Sequence, residues 1–168
     1  VVARSIAVAR TFSLPLRPRR RQPRRSNVKK VFPTPQDAEN AFYEALGRAD
    51  LEAMMEVWSE DDEVMCVHPG GPRLYGFDQV RASWAQIFSG GGSLKVHIAQ
   101  PVYMQSGMVA IHNVHEVITS GGSTRPAQPV VATNVYIRTG NGWRMIVHHA
   151  SPAPSMPERP AEAPKTLH

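Results

Sequence analysis

"TPQDAENAFYEALGRADLEAMMEVWSEDDEVMCVHPGG", residues 34–71, decides the fold, because it reads as two helices, a strand and a tight turn in immediate succession. Thr34 suits a helix N-cap, Pro35 suits the first helical position, and Asp37 stands three residues after the cap, as in a capping box. Ala38, Ala41, Phe42, Ala45, Leu46 and Ala49 then fall on one helical face. Asp50 caps a second, shorter helix whose apolar stripe is Leu51, Met54, Met55 and Trp58. The acidic run at 60–63 ends it, residues 64–68 read as a short buried strand, and Gly70-Gly71-Pro72 turns the chain.

Downstream, Val80, Trp84, Ile87 and Phe88 mark a third helix stopped by the glycines at 90–92. From there the apolar period changes to two. Residues 94–105 and 108–119 form one hairpin around Ser106-Gly107, and 130–139 with 143–150 form another around Gly140-Asn141-Gly142. Register matters because a slip of one residue moves every side chain to the opposite face. A three-residue loop pairs Thr139 with Trp143, which separates apolar from charged residues. It sets Thr133, Val135, Ile137, Met145, Val147 and His149 inward and Arg138, Arg144 and His148 outward. In the first hairpin the same logic sets Leu94, Val96, Ile98, Val109, Ile111, Asn113 and His115 inward. His112, Val114 and Glu116 form the other possible inward row, which a bulge would select.

The chain has 168 residues, 42% of them hydrophobic, enough for one domain with a real core. Its net charge of +5 suggests a nucleic-acid or membrane partner until the charges are located. Ten of nineteen Lys and Arg lie in residues 1–30, which contain no Asp or Glu; the rest carries nine basic and fourteen acidic residues, a net −5. A phosphate-binding surface on the folded part, and hence nucleic-acid binding by it, is not expected. No run approaches the ~18 apolar residues of a membrane span, so no membrane partner is expected and a soluble, cytoplasmic protein is. Cys66 is the only cysteine and reads as a buried small hydrophobe, which excludes an intrachain disulfide and a thiolate zinc site.

The Arg-rich leader, residues 1–30, is open to three readings: an over-extended translation start, a disordered basic tail, or a targeting segment. It lies outside the fold in all three. The expected organisation is a basic leader to residue 30, one domain over 31–152, and a Pro-rich extended tail over 153–168.

The order helix, short helix, strand, helix, then antiparallel hairpins resembles the nuclear transport factor 2-like superfamily. "AFYEALGRADLEAMMEVWSEDDEVMCVHPGG", "RASWAQIF", "ATNVYIRTGNGW" and "WRMIVHHASP" are similar to bacterial members of its SnoaL-like branch, over roughly residues 34–152. The resemblance implies an α+β fold in which a curved antiparallel sheet wraps the first helix as a cone, and a homodimer formed through the outer face of the sheet. It constrains function less, since one fold hosts many activities. Ketosteroid isomerases of this superfamily carry a general-base Asp at the end of the first strand, in an Asp-Pro-x-Gly turn. Here His68-Pro69-Gly70-Gly71 stands at the matching place, and an imidazole suits base chemistry near neutrality. The position matching that family's oxyanion-hole tyrosine is Phe42, with Tyr43 one step off the face. SnoaL-type cyclases imply acid–base side chains inside the cone without metal or cofactor.

Candidates for such chemistry are His68, His149, His115 and Glu116. Pocket candidates are Phe42, Trp58, Trp84, Phe88, Asn113, Thr133, Asn134 and Met145, with Tyr136 as a further wall residue. No metal site is expected: in "HNVHE" and "HH" the strand spacings place the histidines on opposite faces. His112, His148 and His168 read as solvated, and Arg81 as paired with the 60–63 run. Two readings follow: acid–base catalysis of isomerase, cyclase or dehydratase type on a small hydrophobic molecule, or a non-catalytic binding or dimerisation module whose histidines only satisfy buried hydrogen bonds.

Overall fold

In the computed structural model, residues 30–90, 94–120 and 129–154 are described. The leader up to residue 29, the glycines at 91–92, and the tail from 155 with His168 lie outside the described residues. Three helices, α1 (Pro35–Arg48), α2 (Leu51–Val57) and α3 (Phe77–Ser89), accompany six strands: β1 (Met65–Val67), β2 (Arg73–Tyr75), β3 (Leu94–Gln105), β4 (Val109–Ser120), β5 (Val130–Thr139) and β6 (Gly142–Pro152). They form one sheet in the order β2-β1-β6-β5-β4-β3. Every pairing is antiparallel except β1 with β6.

The cap at Thr34 is a full capping box with Asp37, as the sequence predicts. Ala49 adopts a left-handed conformation, φ 51°, and its N–H returns to Ala45 and Leu46. That bend lets Asp50 cap α2 through Ala53 one residue later. α1 thereby lies across the inner face of the sheet, against β3 and β6, with Ala38, Phe42, Ala45 and Leu46 buried in the core.

The second hairpin departs from its expected register. Thr139 pairs with Gly142 and Tyr136 with Met145, and a bulge between Val135 and Tyr136 on β5 then inserts one residue on β6. Beyond it Thr133 pairs with His149 and Asn134 with His148, the cross-strand pairs expected, but with the opposite face inward. Val130, Ala132, Asn134 and Tyr136 are buried, and His148 rather than His149 joins them. His149 is exposed. Arg144, expected outside, is 8% exposed because its guanidinium lies over Phe32 and donates to the carbonyls of Lys30 and Trp143.

In the first hairpin the alternative row is the inner one. Ala110, His112, Val114 and Glu116 are buried, whereas Ile111, Asn113 and His115 are half-buried on the outer face and Val109 is exposed. A bulge between Ala99 and Val102, where Gln100 has φ 48°, lets Val96 and Ile98 still pack against the core.

Phe32 bridges to Gly142, and Trp143 N–H donates to the Phe32 carbonyl at 2.8 Å. Gly142 has φ 90°, and a Cβ there would stand 2.5 Å from the Phe32 oxygen. Gly142→Ala should therefore cost at least about 1–3 kcal/mol from backbone strain alone, with the clash added. Urea unfolding checks this, and a variant as stable as the parent would show that the segment before α1 is not held there.

Candidate functional site

Sequence-distant polar groups meet between α1 and the sheet. The Tyr43 hydroxyl, from α1, donates to Glu116 Oε1 on β4 at 2.8 Å. Asn134 Nδ2, on β5, donates to the Tyr43 oxygen at 3.1 Å. Asn134 Oδ1 lies 2.7 Å from His148 Nδ1 on β6. Because the amide presents its oxygen to the ring, His148 donates from Nδ1 and keeps its lone pair on Nε2. Glu116, Tyr43, Asn134 and His148 thus form one buried chain, and each is 9% exposed or less.

His68 follows the last residue of β1. Its Nε2 is 3.1 Å from Ser83 Oγ on α3, and Ser83 spends its own proton on the Val80 carbonyl at 2.7 Å. Ser83 can therefore only accept, so His68 carries its proton on Nε2 and its lone pair on Nδ1. The ring stands edge-on to Trp84 at 4.7 Å between centroids and lies 6.4 Å from the His148 ring. Phe42, Trp84 and Phe88 complete an aromatic wall: Trp84 is 5.5 Å from Phe42 and 5.7 Å from Phe88, and Phe42 is 5.1 Å from His148.

Burial governs the ionisation of these groups. It lifts the Glu116 carboxyl from its ordinary 4.5 up to about 7, against the pull of the Tyr43 hydroxyl, with the charge of Glu39 adding to the rise. It pushes His148 from 6.5 down to about 3, helped by the neighbouring His68 and His149. His68 is lowered by burial. The Tyr43 phenol is held far above its usual value, first by burial and then by the charge of Glu116. Cys66 is pushed up to about 12 by burial and stays a thiol, as its sequence setting suggests. Near neutral pH the site therefore offers two uncharged imidazoles and one carboxyl poised between its two forms.

These shifts act on stability in opposite directions. Between pH 4.5 and 7 the folded protein holds a proton on Glu116 that the unfolded chain has released, so stability falls as pH rises through that window. Between pH 3 and 6.5 the unfolded chain holds a proton that folded His148 lacks, so stability rises with pH. The two slopes oppose each other from 4.5 to 6.5. Removing the first with Glu116→Gln should make stability climb with pH there, by about 1.4 kcal/mol per pH unit for one proton. Urea titrations at three pH values measure the slope, and an unchanged pH profile in the variant would contradict the assignment.

Of the residues singled out from the sequence, the structure brings together His68, Glu116, Asn134, Phe42, Trp84 and Phe88. Trp58 and Met145 are buried in the core and bridge to each other. Asn113 and Thr133 lie on the outer face, joined by a 2.9 Å hydrogen bond; His115 is on the same face, as is His149. Arg81 pairs with Glu52 at 2.6 Å rather than with residues 60–63. Tyr43, His148 and Ser83 were not anticipated, and His112 is also buried rather than solvated. A signal for part of this exists in the sequence: Glu39 and Tyr43, four residues apart, form a second row along the edge of the apolar face of α1, where polar groups that become buried must find partners inside.

Among the described residues no group of three or more His, Cys, Asp or Glu could hold a metal ion, and no helix is long and apolar enough to cross a membrane. A family model described as a SnoaL-like domain matches residues 36–155. A candidate calcium/calmodulin-dependent protein kinase type II association domain from Thiobacillus denitrificans is 41% identical, with a TM-score of 0.68 over 74% of this chain and 99% of that one. A dehydratase candidate of the NTF2-like family from Streptomyces avermitilis is 37% identical, with a TM-score of 0.64 over 70% of this chain and 92% of that one. The F-box protein SKIP8 of Arabidopsis thaliana is 27% identical over 112 residues, which span 66% of this chain and 46% of that protein. With its curved sheet closing on α1 and its fit to the family model over nearly the whole described region, the chain belongs to the SnoaL-like domain family, within the NTF2-like fold.

Proposed function

We propose that the interior is an acid–base site worked by the chain's own side chains on a small hydrophobic molecule, of the kind that eliminates water from a hydroxy-carbonyl compound or isomerises the product. The observation that carries this reading is the buried Glu116–Tyr43–Asn134–His148 chain beside His68. Elimination needs a base for the proton next to the carbonyl and an acid for the departing hydroxyl. His68 Nδ1 carries the lone pair, with no partner closer than the Cys66 sulfur at 4.0 Å. Glu116 supplies the acid: Oε1 accepts from Tyr43, and Oε2 carries the proton that leaves with the hydroxyl as water. The proton gained by His68 then returns to Glu116 through solvent. Phe42, Trp84 and Phe88 suit a flat apolar substrate. Similarity to a dehydratase candidate supports the same chemistry.

The test is a panel of small cyclic β-hydroxy ketones followed by absorbance of the conjugated enone. The reading requires turnover by the wild-type protein and its loss in His68→Ala; turnover that survives in both His68→Ala and Glu116→Gln would end it.

A second reading, an association module that dimerises through the outer sheet face in a reducing cytoplasm, is favoured by the similarity to a kinase association domain. Sedimentation of the wild-type protein against Val135→Lys, a change on that face, separates the two: a dimer that dissociates while turnover is absent supports this second reading.

A further inference from the structure

A second buried polar cluster lies farther along the inner face, and the acid–base chain does not use it. Glu39, one turn before Tyr43 on α1, is 2% exposed, and its Oε2 lies 3.1 Å from Nδ1 of His112, which is 0% exposed on β4. The His112 ring sits between two tyrosines, 4.4 Å from the ring of Tyr103 and 5.0 Å from that of Tyr136. Glu39 Oε1, both ring nitrogens of His112 and the Tyr136 hydroxyl are buried with no well-aligned hydrogen bond, His112 Nδ1 meeting Glu39 only as a close contact, while Tyr103 reaches the Glu39 carboxylate from the rim. The Asn134 amide gives one Nδ2–H to Tyr43 and its oxygen to His148, and its second N–H faces the Tyr136 oxygen, which keeps a further lone pair. Groups of this kind are rarely left unpaired in a folded interior, so the cluster calls for a guest that pairs with them.

The chemistry of the orphans specifies that guest. In the tautomer that places the His112 proton on Nδ1, toward Glu39 Oε2, Nε2 is an acceptor, as are Glu39 Oε1 and the phenol oxygen. Three acceptors, one of them a carboxylate oxygen, beside two aromatic rings match an ammonium group, which has three donors and a positive charge. An anion would meet Glu39 with like charge. Among the described residues the basic side chains are engaged elsewhere or exposed: Arg144 with the Lys30 carbonyl, Arg81 with Glu52, Arg48 with Glu44, and Lys30, Arg73, Lys95 and Arg138 at the surface. Tyr103, 47% exposed on β3, connects the cluster to solvent.

We propose that Glu39, His112 and Tyr136 form a subsite for a primary ammonium group, with Tyr103 at its entrance. The proposal does not depend on the acid–base reading, since it requires binding and not turnover. Methylammonium chloride is titrated into the full chain and followed through the ring resonances of His112, with sodium chloride and sodium acetate as matched controls. The expected result is a saturable shift with methylammonium alone, weakened at least tenfold in Glu39→Gln and retained in Glu116→Gln. Tyr136→Phe covers the case in which Glu39→Gln does not fold: removing an unpaired hydroxyl should keep or raise the melting temperature while weakening the amine. A non-saturable shift, equal shifts from the controls, or undiminished binding in the folded variants would overturn the proposal and leave water as the occupant.

Discussion

Turnover by His68→Ala should fall about 100- to 10,000-fold, the usual contribution of a positioned general base. The fold should survive, because His68 lies beyond the end of β1 and is only half-buried. Its one strong hydrogen bond goes to Ser83, whose own proton remains bonded to the Val80 carbonyl in the variant. The far-ultraviolet spectrum should therefore be unchanged while the enone signal disappears. His149→Ala is the natural control: its side chain is exposed on the outer face, and its rate should stay within about twofold of the parent, an energy difference smaller than RT. Equal losses in the two variants would mean that the inner and outer faces of β6 have been wrongly distinguished.

Asn134→Leu should produce the largest loss of stability among the polar positions. Asn134 is fully buried and is the link that serves both neighbours. Leucine fills similar space but leaves the Tyr43 oxygen without its donor and His148 Nδ1–H without its acceptor. Each buried orphan costs about 1–3 kcal/mol, so a combined loss of about 2–6 kcal/mol is expected in urea unfolding. Asn113→Ala, on the half-solvated outer face, removes the bonds to Thr133 and to the Ala132 carbonyl and should cost less, about 1–3 kcal/mol at the usual 0.5–1.5 per bond. The contrast between two asparagines on neighbouring strands reads out which row faces inward.

Which row faces inward is also where sequence reasoning stopped. Helix boundaries were legible because Thr34, Pro35, Asp37 and Asp50 are local signals, each acting within a few residues of where it stands. Hairpin positions were legible because the period of two is local as well. Face was not, since it depends on single-residue bulges, one between Ala99 and Val102 and one opposite Val135–Tyr136, that no neighbouring residue announces. Sorting charged from apolar residues misled at β6: Arg144 is sheltered by Phe32, a residue more than a hundred positions away, and His148 is buried by a hydrogen bond to Asn134. The position of His68 at the exit of the first strand was legible because it is set by a turn visible in the sequence. Tyr43 was missed because a helical-face count alone puts it beside Phe42 and off the stripe, whereas the curved sheet reaches around α1 far enough to bury both.

Burial leaves the Glu116 carboxyl poised to give or take a proton near neutral pH, and the acid–base reading stands on that poise. Carbon-detected magnetic resonance of glutamate-labelled protein, with Glu116 assigned by comparison with Glu116→Gln, follows that carboxyl directly through a pH titration. The account predicts a midpoint near 7, moving higher still in Tyr43→Phe, where the hydroxyl that favours the carboxylate is gone. A midpoint at the ordinary 4.5, unmoved by Tyr43→Phe, would contradict it.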